Sequence, residues 1–208
     1  MNKLLVTLGV IAGIFFLILL IVFFSVVGVW NSLNAKNQLV QGGKSHYSAA
    51  LNICTEKIKG VWEIANQYMD HESKTFQTTA EARSGYRAAA EAFEQAVKEG
   101  SDTKKLTQTG DEAVRAALAF RIQVEAYPQL RAVETANENI RNMQEATNEI
   151  KTALDDWITA IKGYNTYRGS AWPSIAGGFM GKFPSEIEYY EGEVQKLDVG
   201  SLNPKKSQ

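Results

Sequence analysis

The chain has 208 residues, 45% of them hydrophobic and 22% charged, and its 22 Lys+Arg against 23 Asp+Glu leave a formal net charge of -1. That balance excludes a basic nucleic-acid binder and an acidic disordered tail. A lone Cys54 excludes an internal disulfide and a cysteine zinc site, and two histidines, His46 and His71, leave little for a His-rich metal centre.

From Leu4 to Val29 the chain carries no charge and is dominated by Leu, Ile, Val and Phe. About 20 apolar residues cross a hydrocarbon core of about 30 Å, so this run is long enough to span with some tilt. It is too long for the apolar region of a signal peptide, and Ser25-Val26-Val27 is a poor cleavage site. The expectation is an uncleaved single-pass anchor over residues 1–30, with Trp30 at the interface. Lys3 and the α-amino group flank one side, Lys36 and Lys44 the other, and we place the short tail inside, with the helical domain non-cytoplasmic. Gly9 and Gly13 form a G-x-x-x-G, which removes two side chains from one helix face and lets a second backbone approach.

Residues 31–43 read as a helical linker ending in a breaker pair, Gly42-Gly43, where a hinge is expected. Beyond it, Tyr47, Leu51, Cys54, Ile58, Val61, Ala65 and Tyr68, then Ala82, Tyr86, Ala89, Phe93 and Ala96, follow steps of four and three. That spacing predicts a helix from Lys44 to Glu99 with one buried seam, as in a coiled coil. The seam turns polar at His71, Glu72, Thr75 and Thr79, a hydrogen-bonded or loosened layer in mid-helix. Gly100-Ser101-Asp102 supplies a stop, and the polar stretch to Gly110 reads as a loop. A shorter helix is then expected from Asp111 to Tyr127-Pro128, with Val114, Leu118 and Ile122 on one face and Asp111 and Glu112 at its positive end. Thr135-x-x-Glu138 is a capping-box signature for the next helix, whose stripe runs Ile140, Met143, Thr147, Ile150, Leu154, Trp157, Ile161, Tyr164 and Arg168. Residues 44–168 thus form the bundle. Residues 169–208 hold six of the 16 glycines and three of the four prolines and are expected to be irregular. Trp172, Ile175, Phe179, Met180 and Phe183 are too apolar for a disordered tail. They close the end of the bundle, or they touch lipid or a neighbouring subunit.

The order of these features resembles the LemA family over essentially the whole chain. Trp30-Asn31-Ser32-Leu33 is similar to its aromatic-Asn-x-Leu, and Tyr68-Met69-Asp70-His71-Glu72 to its Tyr-x-x-His-Glu, with Ala82-Arg83 following. Tyr127-Pro128-x-Leu130-Arg131-Ala132, Tyr164-Asn165, Trp172-Pro173, the stretch Ile175-Ala176-Gly177-Gly178-Phe179 and Lys196-Leu197-Asp198-Val199 complete the resemblance. The chain departs from the family at Ser48, Ile53, Cys54 and Lys59, where relatives carry a charged segment, and at Trp157-Ile158, where they carry Tyr-Asn. The resemblance implies a single-pass bacterial membrane protein built as an elongated helical bundle, without catalytic chemistry. Magnetosome-associated relatives suggest membrane organisation.

The residues offer little chemistry of their own. Asp70, His71 and Glu72 are consecutive and diverge by about 100° each on a helix, and H-E-x-x-H is absent, so a structural layer is favoured over a metal site. Gly43-Lys44-Ser45 matches only the end of a phosphate-binding loop and lacks the preceding strand. Cys54 sits on the seam as a small apolar side chain, and neither histidine is within one helical turn of it. No catalytic, cofactor or metal residue is assigned. The fold expected is all-α: one transmembrane helix, then an elongated antiparallel bundle of three or four helices and an irregular Gly/aromatic tail. The function expected is a non-enzymatic scaffold in the lipid bilayer, a homo-oligomer that organises or shapes membrane through Gly9 and Gly13 or through Trp172, Phe179 and Phe183. The alternative is a receptor or adaptor for another membrane protein, using the polar layer at His71, Glu72, Thr75 and Thr79 or the aromatic tail.

Overall fold

The computed structural model describes residues 3–69, 73–127, 130 and 134–192, and among these every regular element is a helix. In chain order they are α1 (Lys3–Tyr68), α2 (Lys74–Lys98), α3 (Thr103–Glu125), α4 (Glu134–Gly169) and α5 (Ala171–Met180). The described residues form two compact units, one from those up to Leu39 with Lys162–Ile187, the other from Val40–Ile161 with Glu188 onward.

The first unit begins with the apolar part of α1. Its large side chains from Leu5 to Phe24 are exposed whichever face they occupy, and this is a helix apolar and long enough to be a candidate membrane span. Burial begins at Val29 and Leu33, one turn apart. The end of α4 and all of α5 belong to the same unit.

The second unit is an up-down-up-down bundle of four helices. Tyr47 meets Phe93, Thr55 meets Tyr86 and Trp62 meets Phe76, so α1 and α2 run antiparallel. Gly43 lies on Trp157 and Gly60 on Asn139, which sets α4 antiparallel to α1. Between α3 and α4, Arg121 reaches Asn148, while Glu125 receives both the Nε of Arg121 and the amide of Gln144. The stripe predicted for α4 is buried at every position from Ile140 to Arg168. On α1 and α2 the seam from Tyr47 to Ala65, and Tyr86, Phe93 and Ala96, are buried as well.

Several expectations are corrected. The helix expected over 44–99 is two helices: α1 ends at Tyr68, which is exposed while Met69 is buried, and α2 starts at Lys74. Ser73 is its N-cap, its hydroxyl accepting from the Phe76 amide at 3.1 Å, which satisfies a donor that an uninterrupted helix would have paired with a carbonyl. The stretch after Asp102 up to Gly110, expected to be a loop, is helical, because the Asp102 carboxylate accepts from the Lys105 amide at 2.7 Å and starts α3 eight residues early. Asp111 is therefore a buried mid-helix residue, 3.0 Å from the Arg115 guanidinium, rather than a partner of the helix dipole. Ile122 is exposed, and Phe120 and Val124 are buried in its stead. Thr135 lies inside α4, which begins at Glu134, so the expected capping box does not start that helix. Part of the tail expected to be irregular is α5, which ends on Gly181 in the left-handed region at φ 63°.

The helix also runs through Gly42-Gly43. A Cβ on Gly43 would stand 2.9 Å from the Trp157 Cα, whereas one on Gly42 meets nothing within 4 Å. The glycine at 43 thus serves close packing of α1 on α4. Gly43→Ala is expected to lower stability by about 1–3 kcal/mol, as overpacking does. Gly42→Ala, in an exposed turn of helix, is expected to raise it by about 0.5–1 kcal/mol. Urea titration of the two variants beside the wild type checks both, and equal effects would contradict the packing assigned to Gly43.

Candidate functional site

Two surfaces, one in each unit, bring aromatic and charged side chains together. In the first unit the Trp30 and Phe183 rings stand edge to face with centroids 5.2 Å apart, and the Lys182 ammonium lies 4.9 Å from the Trp30 centroid. Lys36, further along α1, sits 5.5 Å from the Tyr167 ring. The turn from α4 into α5 is tied by Arg168, whose guanidinium donates to the carbonyls of Pro173 and Ser174 at 3.3 and 3.0 Å. A Cβ on Gly177 would lie 3.0 Å from that guanidinium, so the missing side chain lets α5 settle closely on it. Tyr164 donates to the Pro184 carbonyl at 2.7 Å, and Asn165 both donates to and accepts from Ile187, which fixes the chain after α5 as an extended strip. Burial, offset in part by the neighbouring Arg168 charge, raises the Tyr164 hydroxyl above its ordinary pKa.

In the second unit the buried chemistry is structural. Tyr47 donates to the Gly110 carbonyl at 2.8 Å, and Tyr86 and Thr55 share a hydrogen bond of 2.7 Å. Burial pushes the Cys54 thiol up to about 12, so at neutral pH it is a protonated, unreactive group. Tyr47 and Tyr86 are raised by the same burial and by the nearness of Cys54. Against this core, α1 and α2 leave an open groove of about 310 Å³ whose floor includes Thr55, Ile58, Tyr86 and Ala90, with Lys59, Arg83, Arg87 and Glu91 on its rims. A second depression of about 290 Å³, floored by Leu51 and Phe93, shares Glu94 with the first. Among the described residues no three His, Cys, Asp or Glu side chains are grouped to hold a metal ion.

The LemA family model matches residues 48–199, most of the chain. The chain belongs to the LemA family. No curated protein and no solved structure matches it. LemA is not a known enzyme family, so membership assigns this protein no reaction.

The residues singled out from the sequence of this LemA-family chain are scattered rather than convergent. Among the described residues, none lies within 4 Å of a Cβ on Gly9 or Gly13. Trp172 and Phe179 are exposed on α5, whereas Phe183 is buried. His71 and Glu72 lie outside the described residues. Thr75 and Thr79 are in the first two turns of α2, where Thr79 is buried and donates to the Thr75 carbonyl at 2.7 Å. Sequence reasoning missed the α1/α2 groove and the tie from Arg168 to α5. The groove carries no periodic signal, because its rim residues are ordinary solvated charges. Arg168 could have been noticed as the one cation on an otherwise apolar or neutral stripe.

Proposed function

We propose that this LemA-family protein is a non-enzymatic, membrane-anchored helical scaffold that self-associates in the plane of the membrane. The observation that supports it most directly is the bare apolar length of α1, exposed on all faces with both glycines of the G-x-x-x-G open to a neighbour. In lipid, where apolar contact alone does not drive association, two missing side chains on one face allow the close backbone approach that packing requires. On this reading the helical bundle stands on the non-cytoplasmic side, and the anchors assemble within the bilayer. The test is the mass of the full-length protein extracted with its lipid, measured by light scattering, beside Gly9→Leu/Gly13→Leu. We expect an assembly of several chains that falls to a smaller species in the double variant. A monomer in both overturns the scaffold.

The α1/α2 groove favours a second reading, an adaptor for another membrane protein. Its apolar floor with charged rims is the arrangement that receives an amphipathic helix. An adaptor is monomeric alone and gains mass only with its partner, so the same measurement separates the two.

A further inference from the structure

We infer that α5 is a second membrane contact, an apolar helix that lies in the interfacial layer of the bilayer beside the anchor; this rests on reading α1 as a membrane span. Trp172, Ile175 and Phe179 follow one another at steps of three and four and are exposed by 40%, 56% and 90%. They form one stripe on one face of the helix. The other face, Pro173, Ala176 and Gly177, is buried, and Gly177 lies on the Arg168 guanidinium. The helix is thus held by one side, and among the described residues nothing covers its apolar side.

What covers the stripe is indicated by its place in the first unit. The continuously apolar part of α1 ends at Trp30, an amphipathic ring of the kind that sits at the headgroup level of a membrane. Phe183 packs on Trp30, and Lys182 lies over the same ring. Only Gly181 separates Lys182 from the last residue of α5, so consecutive Cα atoms about 3.8 Å apart bring the helix end to the depth of Trp30. Cations accompany it: Lys182 on Trp30, and Lys36 on Tyr167 six residues beyond Trp30, about 9 Å further along α1. An apolar stripe at the boundary with cations at and above it matches an anionic lipid surface, with rings in the acyl boundary and ammonium groups among phosphates. A second copy of the chain would cover the stripe equally well by area but would not call for cations beside it.

The experiment uses full-length protein in vesicles of phosphatidylcholine and phosphatidylglycerol. Nitroxide labels are placed one at a time at Ile175→Cys, at Val10→Cys in the anchor and at Lys57→Cys on the exposed face of the bundle, each with Cys54→Ala. Accessibility to dissolved oxygen relative to a water-soluble nickel complex reports depth. The Ile175 label is expected to show a ratio severalfold above the Lys57 label and below the Val10 label, and adding Trp172→Ser/Phe179→Ser is expected to drop it to the Lys57 value. A ratio at Ile175 equal to that at Lys57 overturns the inference while the anchor stands. Spin-spin broadening at Ile175 that disappears on dilution with unlabelled protein assigns the stripe to a second copy and also overturns it. Water-like accessibility at Val10 removes the anchor reading and this inference with it.

Discussion

Trp157→Ala is expected to lower the stability of the bundle by about 3–5 kcal/mol, the range for removing a large buried aromatic side chain. Domains hold together by about 5–15 kcal/mol, so most of the margin is at stake. Trp157 is 1% exposed and stacks on Tyr47 with centroids 6.2 Å apart; Tyr47 in turn packs edge to face on Phe93 at 4.9 Å. One ring on α4, one on α1 and one on α2 therefore form a continuous aromatic layer, and the backbone beneath Trp157 is the surface on which Gly43 rests. Truncation empties the centre of that layer. Trp157→Phe is expected to cost much less, because a ring remains and no hydrogen bond is lost: among the described residues the indole N–H meets no acceptor. Urea unfolding followed by far-ultraviolet circular dichroism checks the pair. A loss below about 1 kcal/mol for the alanine variant would place the core elsewhere.

The second large effect is alkaline unfolding. Burial raises Cys54 to about 12, and raises Tyr47 and Tyr86 from their ordinary values near 10. All three are neutral when protonated, so the folded bundle holds its protons more tightly than the unfolded chain does. Their contribution is complete below the unfolded thiol value of about 9 and is lost as pH rises towards the folded values, by up to tenfold in the folding equilibrium per pH unit for each titrating group. The groups are also near one another, with Asp111 close to Tyr47, so a first ionisation opposes the next. Melting temperature is expected to be flat from pH 7 to 8.5 and to fall progressively towards pH 11. In Cys54→Ala the fall should begin about one unit higher, where the tyrosines start. Iodoacetamide should leave Cys54 unmodified in the folded protein at pH 8 and modify it in urea. Rapid alkylation of the folded protein would contradict the burial described.

Periodicity made the buried stripes legible. Ile140 to Arg168 on α4, and Tyr47 to Ala65 on α1, could be read in steps of three and four because one helix face packs on the bundle throughout. The two misread glycines share one physical cause. Gly43 reads as part of a breaker pair and Gly110 as the end of a loop, yet both lie in helices, the first against Trp157 and the second against the Tyr47 ring, 3.3 Å from where its Cβ would be. A missing side chain serves close approach as well as it serves a turn, and a sequence does not say which neighbour approaches. The stop between α1 and α2 was hidden for the opposite reason. The three-four spacing continues in phase from Ala65 to Ala82, and a cap at Ser73 looks from the sequence like one more polar residue of a helix. For the candidate membrane surface, Trp172 and Phe179 were legible as misplaced apolar residues. The anchorage of α5 was not, because it depends on Arg168 folding back on the carbonyls of residues five and six positions ahead.

The extended strip after α5 bears on how the protein is made. In the second unit, Thr107 of α3 donates to its own helix and accepts the Tyr190 amide at 2.7 Å, and Gly192 packs so closely on the buried Asp111 that a side chain there would collide with the carboxylate. Tyr190 follows Thr107 by 83 residues. At about 5–20 residues per second the ribosome delivers that cover roughly 4–17 s after Thr107. During the interval the four helices of the bundle can already be present while Asp111 keeps its hydration, and a carboxylate in water does not invite premature association of nascent chains. Closure of the strip is then a late, length-dependent event in synthesis. A chain released before residue 190 is expected to leave a bundle in which Asp111, paired with Arg115, lacks the cover of Gly192.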